Sequence, residues 1–137
     1  MTTQTTPYGI STSVALGYDA ALARTRDALS KEGFGVPTEI DVRATMMKTL
    51  GVDFRAYTIL GACNPPLAYE ALSAEPEIGL LLPCNVIVHE GDLPGTSVVA
   101  AMDPVAALAL TKNELVRPIA ENVRARLERV LADVAGE

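Results

Sequence analysis

Residues 57–88 read YTILGACNPPLAYEALSAEPEIGLLLPCNVIV and contain both cysteines of the chain, Cys63 and Cys84. Each cysteine lies where an apolar run meets turn-forming residues, ILGAC before NPP in one case and LLLP before CNVIV in the other. The apolar runs predict strands, and the segment that begins at the prolines predicts a helix. A thiol at a strand–turn junction is a candidate for chemistry, and here the chain places two of them.

Strands and helices are predicted on both sides of this stretch. Strands are predicted at residues 9–16, 34–42, 54–62, 78–82, 85–90 and 96–102, and helices at residues 20–31, 43–50, 65–73 and 115–135. The segments 78–82 and 85–90 form either one strand broken at Pro83 or two strands with a kink. The strands at 85–90 and 96–102 are joined by a loop rich in turn formers and predict an antiparallel hairpin.

Individual residues refine several of these elements. Asp19 is predicted to cap the first helix, and Gly33 to end it in the left-handed conformation. Pro37 favours an edge position or a bulge for its strand, and Pro118 has to lie in the first turn of the last helix. Three apolar side chains of the helix at 43–50 are expected to pack inward: Met46, Met47 and Leu50. Residues 105–110 form an apolar connection without an assigned structure.

The order of elements predicts one α+β domain over residues 1–137. Strands that follow one another directly favour an antiparallel sheet, with the helices packed on one face. A chain of 137 residues is long enough to build such a core without disulfides or a metal. The polar residues 1–7 are expected to be disordered.

Composition excludes some classes of partner. The formal net charge is −6 and no cluster of Lys or Arg is present, so nucleic-acid binding and attachment to an anionic membrane are disfavoured. The longest apolar run, at residues 78–83, is too short to span a bilayer. No secretory segment is visible, so a cytoplasmic location with reduced thiols is expected.

The two cysteines predict either a functional thiol site or two structural core residues. Cys63 precedes the helix at 65–73, where unsatisfied N–H groups and the helix dipole favour a thiolate. Asn64 is expected to cap that helix and Pro65 to occupy its first position. If the strands that carry Cys63 and Cys84 are neighbours, the two sulfur atoms come close enough for a disulfide or a shared metal. The competing interpretation is that both thiols are small core side chains.

Few other residues are available for metal or acid–base chemistry. His89 is the single histidine, and because it lies five residues after Cys84, a regular strand places the two on opposite faces. Glu39 and Asp41 share one strand face. A zinc site would therefore combine both cysteines with His89 or with one of these carboxylates. Glu39 and Asp41 also form the only candidate acid–base pair of a third, enzymatic hypothesis.

Several segments in combination resemble the family called domain of unknown function 302. They are GFGVPTEIDV, ILGACNPP, IGLLLPCNV and VVAAMDP, and both cysteines stand where the family pattern carries cysteine. The resemblance implies a curved antiparallel sheet similar to the TATA-box-binding-protein-like class, and it implies a homodimer. It implies no agreed activity, although some members occur in settings tied to sulfur or redox metabolism.

The leading hypothesis from the sequence is a thiol-site protein. Cys63 is the reactive thiolate, Cys84 is its resolving partner or a second ligand, and the surrounding pocket is drawn from Asn64, Pro65, Glu39 and Asp41. The ligand would be a small molecule, a sulfur species or a soft metal such as zinc. The alternative is a non-catalytic, dimeric binding or assembly module in which both cysteines are structural.

Overall fold

The computed structural model describes residues 3–136 as a six-stranded antiparallel sheet with helices packed against it. The strands are β1 (Thr3–Thr5), β2 (Gly9–Val14), β3 (Gly35–Asp41), β4 (Tyr57–Cys63), β5 (Cys84–Glu90) and β6 (Ser97–Met102). Their order across the sheet is β1-β2-β6-β5-β4-β3, and every neighbouring pair is antiparallel. The helices are α1 (Tyr18–Lys31), α2 (Val42–Leu50), α3 (Pro65–Ala74), α4 (Pro104–Leu108) and α5 (Arg117–Val134). The predicted α+β class and the β5–β6 hairpin are confirmed.

The core lies between one face of the sheet and the two long helices, α1 and α5. Alternate residues of the central strands point to this side, so the sheet contributes fully buried side chains such as Leu60, Val88 and Val99. Leu29 of α1 and Leu127 of α5 are equally buried against them. A smaller apolar cluster forms beside it, where Ile78, Leu108, Val116 and Ala120 pack together with Ala71. No helix among residues 3–136 is long and apolar enough to cross a membrane.

Local signals for helix ends are mostly confirmed. Gly33 has φ +84°, and the N–H of Phe34 donates to the carbonyl of Leu29 at 3.0 Å, so α1 ends in a left-handed turn as predicted. Pro118 lies in the first turn of α5. The cap of α1 is a correction: the helix begins at Tyr18, so Asp19 lies inside the first turn and Gly17 is the N-cap.

Two other predictions are wrong. Residues 78–82 do not form a strand, because Pro76–Leu81 is a 3₁₀ helix in which Ile78 alone is buried. The third strand begins at Tyr57 rather than at residue 54. Thr3–Thr5 of the N-terminal segment form β1, and Met1 and Thr2 lie outside the described residues, so the expected disorder of residues 1–7 stays a prediction.

Helix α2 also differs from the prediction. It contains no buried residue, and Met47 and Leu50 are 51% and 68% exposed. The physical reason is its position: α2 follows β3, which is the edge strand, and its main contacts are with β3 and β4 rather than with another helix. An apolar pattern predicts which side chains share a face, but it does not predict that a second layer covers them. The apolar connection at 105–110 becomes the end of α4 and a short 3₁₀ turn, Ala109–Thr111.

At Gly61 the backbone of β4 is closely approached by Thr38 of β3 and by Pro83, which precedes β5. A Cβ atom on Gly61 would lie 2.0 Å from the hydroxyl of Thr38 and 2.8 Å from a ring carbon of Pro83. Thr38 follows a register irregularity in β3 between Gly35 and Thr38, which confirms the edge position and bulge expected around Pro37. Gly61 is therefore required by close approach and not by its backbone angle.

We predict that Gly61→Ala lowers the free energy of unfolding by about 1–3 kcal/mol, since the added methyl group overlaps Thr38 and Pro83. Urea denaturation monitored by circular dichroism measures the change. Gly35→Ala is the matched control on the adjacent strand, because its Cβ would come no closer than 4.0 Å to another atom. Equal stability of the two variants would contradict the packing described for Gly61.

Candidate functional site

A cavity of about 320 Å³ opens at the end of the sheet where β4 ends and β5 begins. Helices α3 and α5 and the 3₁₀ helix form its sides. Most of its lining is hydrocarbon and includes Phe34, Leu67, Leu72, Leu82, Ile119 and Val123. Both cysteines line it, and we call it the cysteine cavity.

The pairing of β4 with β5 places the two cysteines at the same end of the sheet, where both line this cavity. Ala62 pairs directly with Cys84, so Cys63 is the next residue beyond that pair. Cys84 is 5% exposed and lies on the helix side of the sheet, whereas Cys63 is half-buried at the last position of β4. Both are free thiols. The strands are thus neighbours, which was the condition that the sequence left open.

The environment of Cys84 keeps it protonated. Burial, and to a lesser extent the nearby Cys63, raises the pKa of Cys84 to about 11. A thiol with this pKa carries its proton at neutral pH and is a poor nucleophile. The two cysteines are therefore not equivalent, and Cys63 is the more accessible of the pair.

Asn64 lines the cavity but its polar atoms are engaged in the fold. Its side-chain oxygen accepts from the N–H of Leu67 at 3.3 Å, so it caps α3 as predicted. Its amide group donates to the carbonyl of Glu32 at 3.4 Å. Pro65 occupies the first turn of α3 and does not line the cavity. Asn64 consequently positions the helix start beside Cys63.

Glu39 and Asp41 lie away from the cavity. Their pairing with Leu60 and Thr58 directs both to the helix side of the edge strand. Glu39 forms an ion pair with Arg26 of α1, and Asp41 caps α2 by accepting from the N–H of Ala44 at 2.9 Å. Both carboxylates are thus engaged in stabilising contacts, which leaves the acid–base hypothesis without support from the geometry.

Pro37 and Thr38, from the same strand, do line the cavity, and sequence reasoning missed them as site residues. The available signal was Pro37 itself, which was expected to bend the strand. The bend lies at the register irregularity between Gly35 and Thr38 and places Thr38 against Gly61. Only the pairing of β3 with β4 reveals that this bend borders the cavity.

His89 lies on the opposite face of the sheet from Cys84, as its spacing predicted. Its ring stacks on Tyr57, with 5.0 Å between ring centroids, and its Nδ1 lies 2.7 Å from the carbonyl oxygen of Glu90. Within residues 3–136 no group of three His, Cys, Asp or Glu side chains could hold a metal ion. The residues around the two thiols therefore do not fit a zinc site.

The face of the sheet that carries His89 is the second notable surface. By register, the residues of β2, β4, β5 and β6 that point away from α1 and α5 include no Asp, Glu, Lys or Arg. We call this the uncharged face; it includes Tyr57, Ile59, Asn85, Ile87, His89, Val98, Ala100 and Met102. A concavity of about 470 Å³ lies over its β2–β6–β5 part.

Comparison with known proteins identifies the family. The profile of the domain of unknown function DUF302 matches residues 10–134, and the chain belongs to this family. A crystal structure of an uncharacterized conserved DUF302 protein from Bacillus stearothermophilus has a TM-score of 0.83 to this chain at 26% sequence identity. The match covers 91% of this chain and 96% of that one. None of the curated proteins matches the chain significantly.

The pKa of Cys84 leads to a prediction about alkaline stability. The folded protein keeps the Cys84 proton up to about pH 11, whereas an unfolded chain releases it above the ordinary value of 9.0. The folded state therefore binds more protons in this window, and the contribution of Cys84 to stability is lost as pH rises from 9 to 11. Its size is about 2–3 kcal/mol.

Urea denaturation between pH 8 and pH 11 tests this prediction by comparing slopes rather than absolute stabilities. Cys84→Ala should flatten the decline in the free energy of unfolding, because the variant lacks the titrating thiol. The control is Leu80→Ala, which alters a side chain that is 84% exposed and should retain the full decline. Parallel pH profiles for Cys84→Ala and the unmodified protein would contradict the assignment.

Proposed function

We propose that this DUF302 protein binds a small ligand in the cysteine cavity and reacts with it through Cys63. The observation that carries the proposal is one cavity, lined mainly by hydrocarbon, that two free thiols from neighbouring strands both line. Concave and mostly apolar sites with a few polar groups are the usual form of small-molecule sites. Thiols are the distinctive polar groups here.

The two thiols have different parts in this proposal. Cys63 is half-buried, so a reagent can reach it, and it lies at the end of β4, just before the N-terminus of α3. Cys84 is buried and its raised pKa keeps it as a thiol. Cys63 is accordingly the attacking group, and Cys84 is a buried partner that contacts the bound molecule.

A sulfur species is supported better than a metal as the ligand. Zinc requires deprotonated thiolates and further ligands, and the described part of the chain offers no third His, Cys, Asp or Glu beside the two thiols. Attack on one sulfur of a disulfide requires only the thiolate of Cys63, with no second thiolate and no further ligand. That attack forms a bond between Cys63 and the attacked sulfur, breaks the sulfur–sulfur bond and releases the other sulfur as a thiolate.

We predict that iodoacetamide modifies Cys63 in the folded protein at least about tenfold faster than Cys84, since Cys84 is buried and protonated. Mass spectrometry of proteolytic peptides after timed quenching measures both rates. Cys63→Ala should remove the fast reaction and Cys84→Ala should retain it. Circular dichroism of each variant checks that it is folded.

Two outcomes oppose the proposal. If Cys63 reacts in the native state only as fast as global unfolding allows, the thiol is not available and the cavity is a packing feature. If Cys84 reacts first, the division of roles is wrong. In urea denaturation, a purely structural role for both cysteines predicts that Cys→Ser lowers the free energy of unfolding more than Cys→Ala, because serine would bury a hydroxyl group.

The uncharged face supports a second candidate function, that of a dimeric binding or assembly module. The occupant we propose for this face is a second copy of the chain, bound sheet to sheet. With strands about 4.8 Å apart and about 20 Å long, its four strands span about 300–400 Å² in projection. Exposed Tyr8 and Phe54 extend the apolar surface toward the roughly 800 Å² per partner that stable dimers bury.

The distribution of charge permits a second copy as the partner. The chain carries a net charge of −6, so two copies repel each other, and this repulsion is least where the contacting surfaces hold no charge. The outward positions of β2, β4, β5 and β6 meet that condition. A twofold axis through this face would bring equivalent residues of the two copies together, as closed dimers require.

We predict that Val98→Asp raises the dissociation constant of this dimer at least about a hundredfold, because each dimer would bury two carboxylates. The cross-strand neighbour of each, His89, is already engaged with Tyr57 and with the carbonyl of Glu90. Light scattering on a size-exclusion column over a range of protein concentrations measures the oligomeric state. Leu80→Asp, at a fully accessible position outside the face, is the matched control and should remain dimeric. A monomeric unmodified protein at all concentrations would eliminate this candidate.

A further inference from the structure

We propose that the ligand of the cysteine cavity is a small, neutral disulfide of low polarity, and that the cavity discriminates against charged disulfides of the peptide type. This inference rests on the proposed function, since it names the class of molecule with which Cys63 reacts. It is based on three properties of the cavity besides its thiols. The described lining has no charged side chain, few of its polar groups are free, and its volume is small.

The described lining contains no charged side chain. Its members come from α3, α5, the 3₁₀ helix and the strand ends, and none is Asp, Glu, Lys, Arg or His. A carboxylate or ammonium group that entered would lose its hydration without gaining an ionic partner, which costs several kcal/mol. A neutral molecule pays no such penalty, so the lining selects by charge.

Few polar groups remain free to recognise a polar ligand. Asn64 has both ends of its amide engaged, with Leu67 and with Glu32. Thr38 holds its hydroxyl close to Gly61, where it is part of the packing between strands. The two thiols are weak hydrogen-bonding groups. Recognition therefore depends on shape, apolar contact and the sulfur chemistry of Cys63.

The volume sets the size of the ligand. About 320 Å³ lies at the lower end of the range for small-molecule sites, which suits a compound of one or two rings or a short alkyl chain. Walls formed by Leu67, Leu72, Ile119 and Val123 favour hydrocarbon over a peptide backbone, whose amides would be left without partners.

The reaction is thiol–disulfide exchange and needs no further reagent. The Cys63 thiolate attacks one sulfur of the ligand R–S–S–R, forms Cys63–S–S–R and releases R–S⁻. The released thiolate takes up a proton from water where its pKa requires it. Cys84 stays a protonated thiol during this step, so the product is a mixed disulfide on Cys63.

A matched pair of reagents tests the proposal. Dithiodipyridine is neutral, and dithiodinicotinic acid has the same disulfide between two pyridine rings that each carry a carboxylate. Both release a chromophoric thione, so rates are read by absorbance, with mass spectrometry to locate the adduct. Each rate is divided by the rate for the same chain unfolded in urea, which removes intrinsic reactivity, and high salt screens the net charge of −6.

We expect this folded-to-unfolded ratio to be at least about tenfold higher for the neutral reagent than for the dicarboxylate. Leu72→Lys, which introduces a cation into the lining, should raise the rate of the dicarboxylate. Leu80→Lys, which adds the same charge outside the lining at an exposed position, should not. The two lysine variants have equal net charge, so their difference reports the cavity alone.

The outcomes distinguish failure of the neutral-ligand assignment from failure of the proposed function. If Cys63 reacts with both reagents at equal ratios, or if the two lysine variants behave alike, the assignment of a neutral ligand is overturned while the thiol site stands. If Cys63 in the folded protein reacts with neither reagent, the proposed function itself is overturned. An adduct located mainly on Cys84 overturns the assignment of Cys63 as the attacking group.

Discussion

The pairing of Ala62 with Cys84 between β4 and β5 is the constraint on which the site depends. A shift of this register by one residue would reverse which side chains face the helices, and it would bury the residues of the uncharged face. Buried partners along the same two strands, such as Leu60 with Val86, oppose that shift. The close approach of Thr38 and Pro83 at Gly61 then fixes the strand ends that border the cysteine cavity.

The distribution of charge follows from the same register, because the register decides which residues point to the helix side of the sheet and which to the opposite face. Acidic residues of the edge strand point to the helix side, where Glu39 meets Arg26 and Asp41 caps α2. The opposite face carries no charge on its central strands, and the lining of the cysteine cavity carries none among the described residues. An acidic protein thus presents two apolar surfaces of different shape. The proposed small-molecule site is the concave surface with the thiols, and the proposed dimer contact is the broad one.

Local sequence signals predicted much of the fold and only part of the site. Gly33, Asn64 and Pro118 mark helix ends because capping and proline geometry act within a few residues. The other features of the fold and the site depend on tertiary contacts. The 3₁₀ helix at Pro76–Leu81 was predicted as a strand, because a short apolar run is ambiguous, and α2 remained exposed because no second layer covers it. The place of Thr38 in the cavity lining and the ion pair of Glu39 with Arg26 depend on tertiary contacts, which no pattern in a single sequence supplies.

Proximity of the two thiols is the central claim, and a bifunctional reagent measures it most directly. Dibromobimane becomes strongly fluorescent when one molecule alkylates two neighbouring thiols. The account predicts that the folded protein takes up one reagent molecule per chain, with a cross-linked peptide pair joining Cys63 to Cys84. It also predicts no fluorescence from either single Cys→Ala variant. Alkylation of Cys84 by a second reagent molecule, rather than by the free arm of the molecule already bound to Cys63, would contradict a cavity shared by both sulfur atoms.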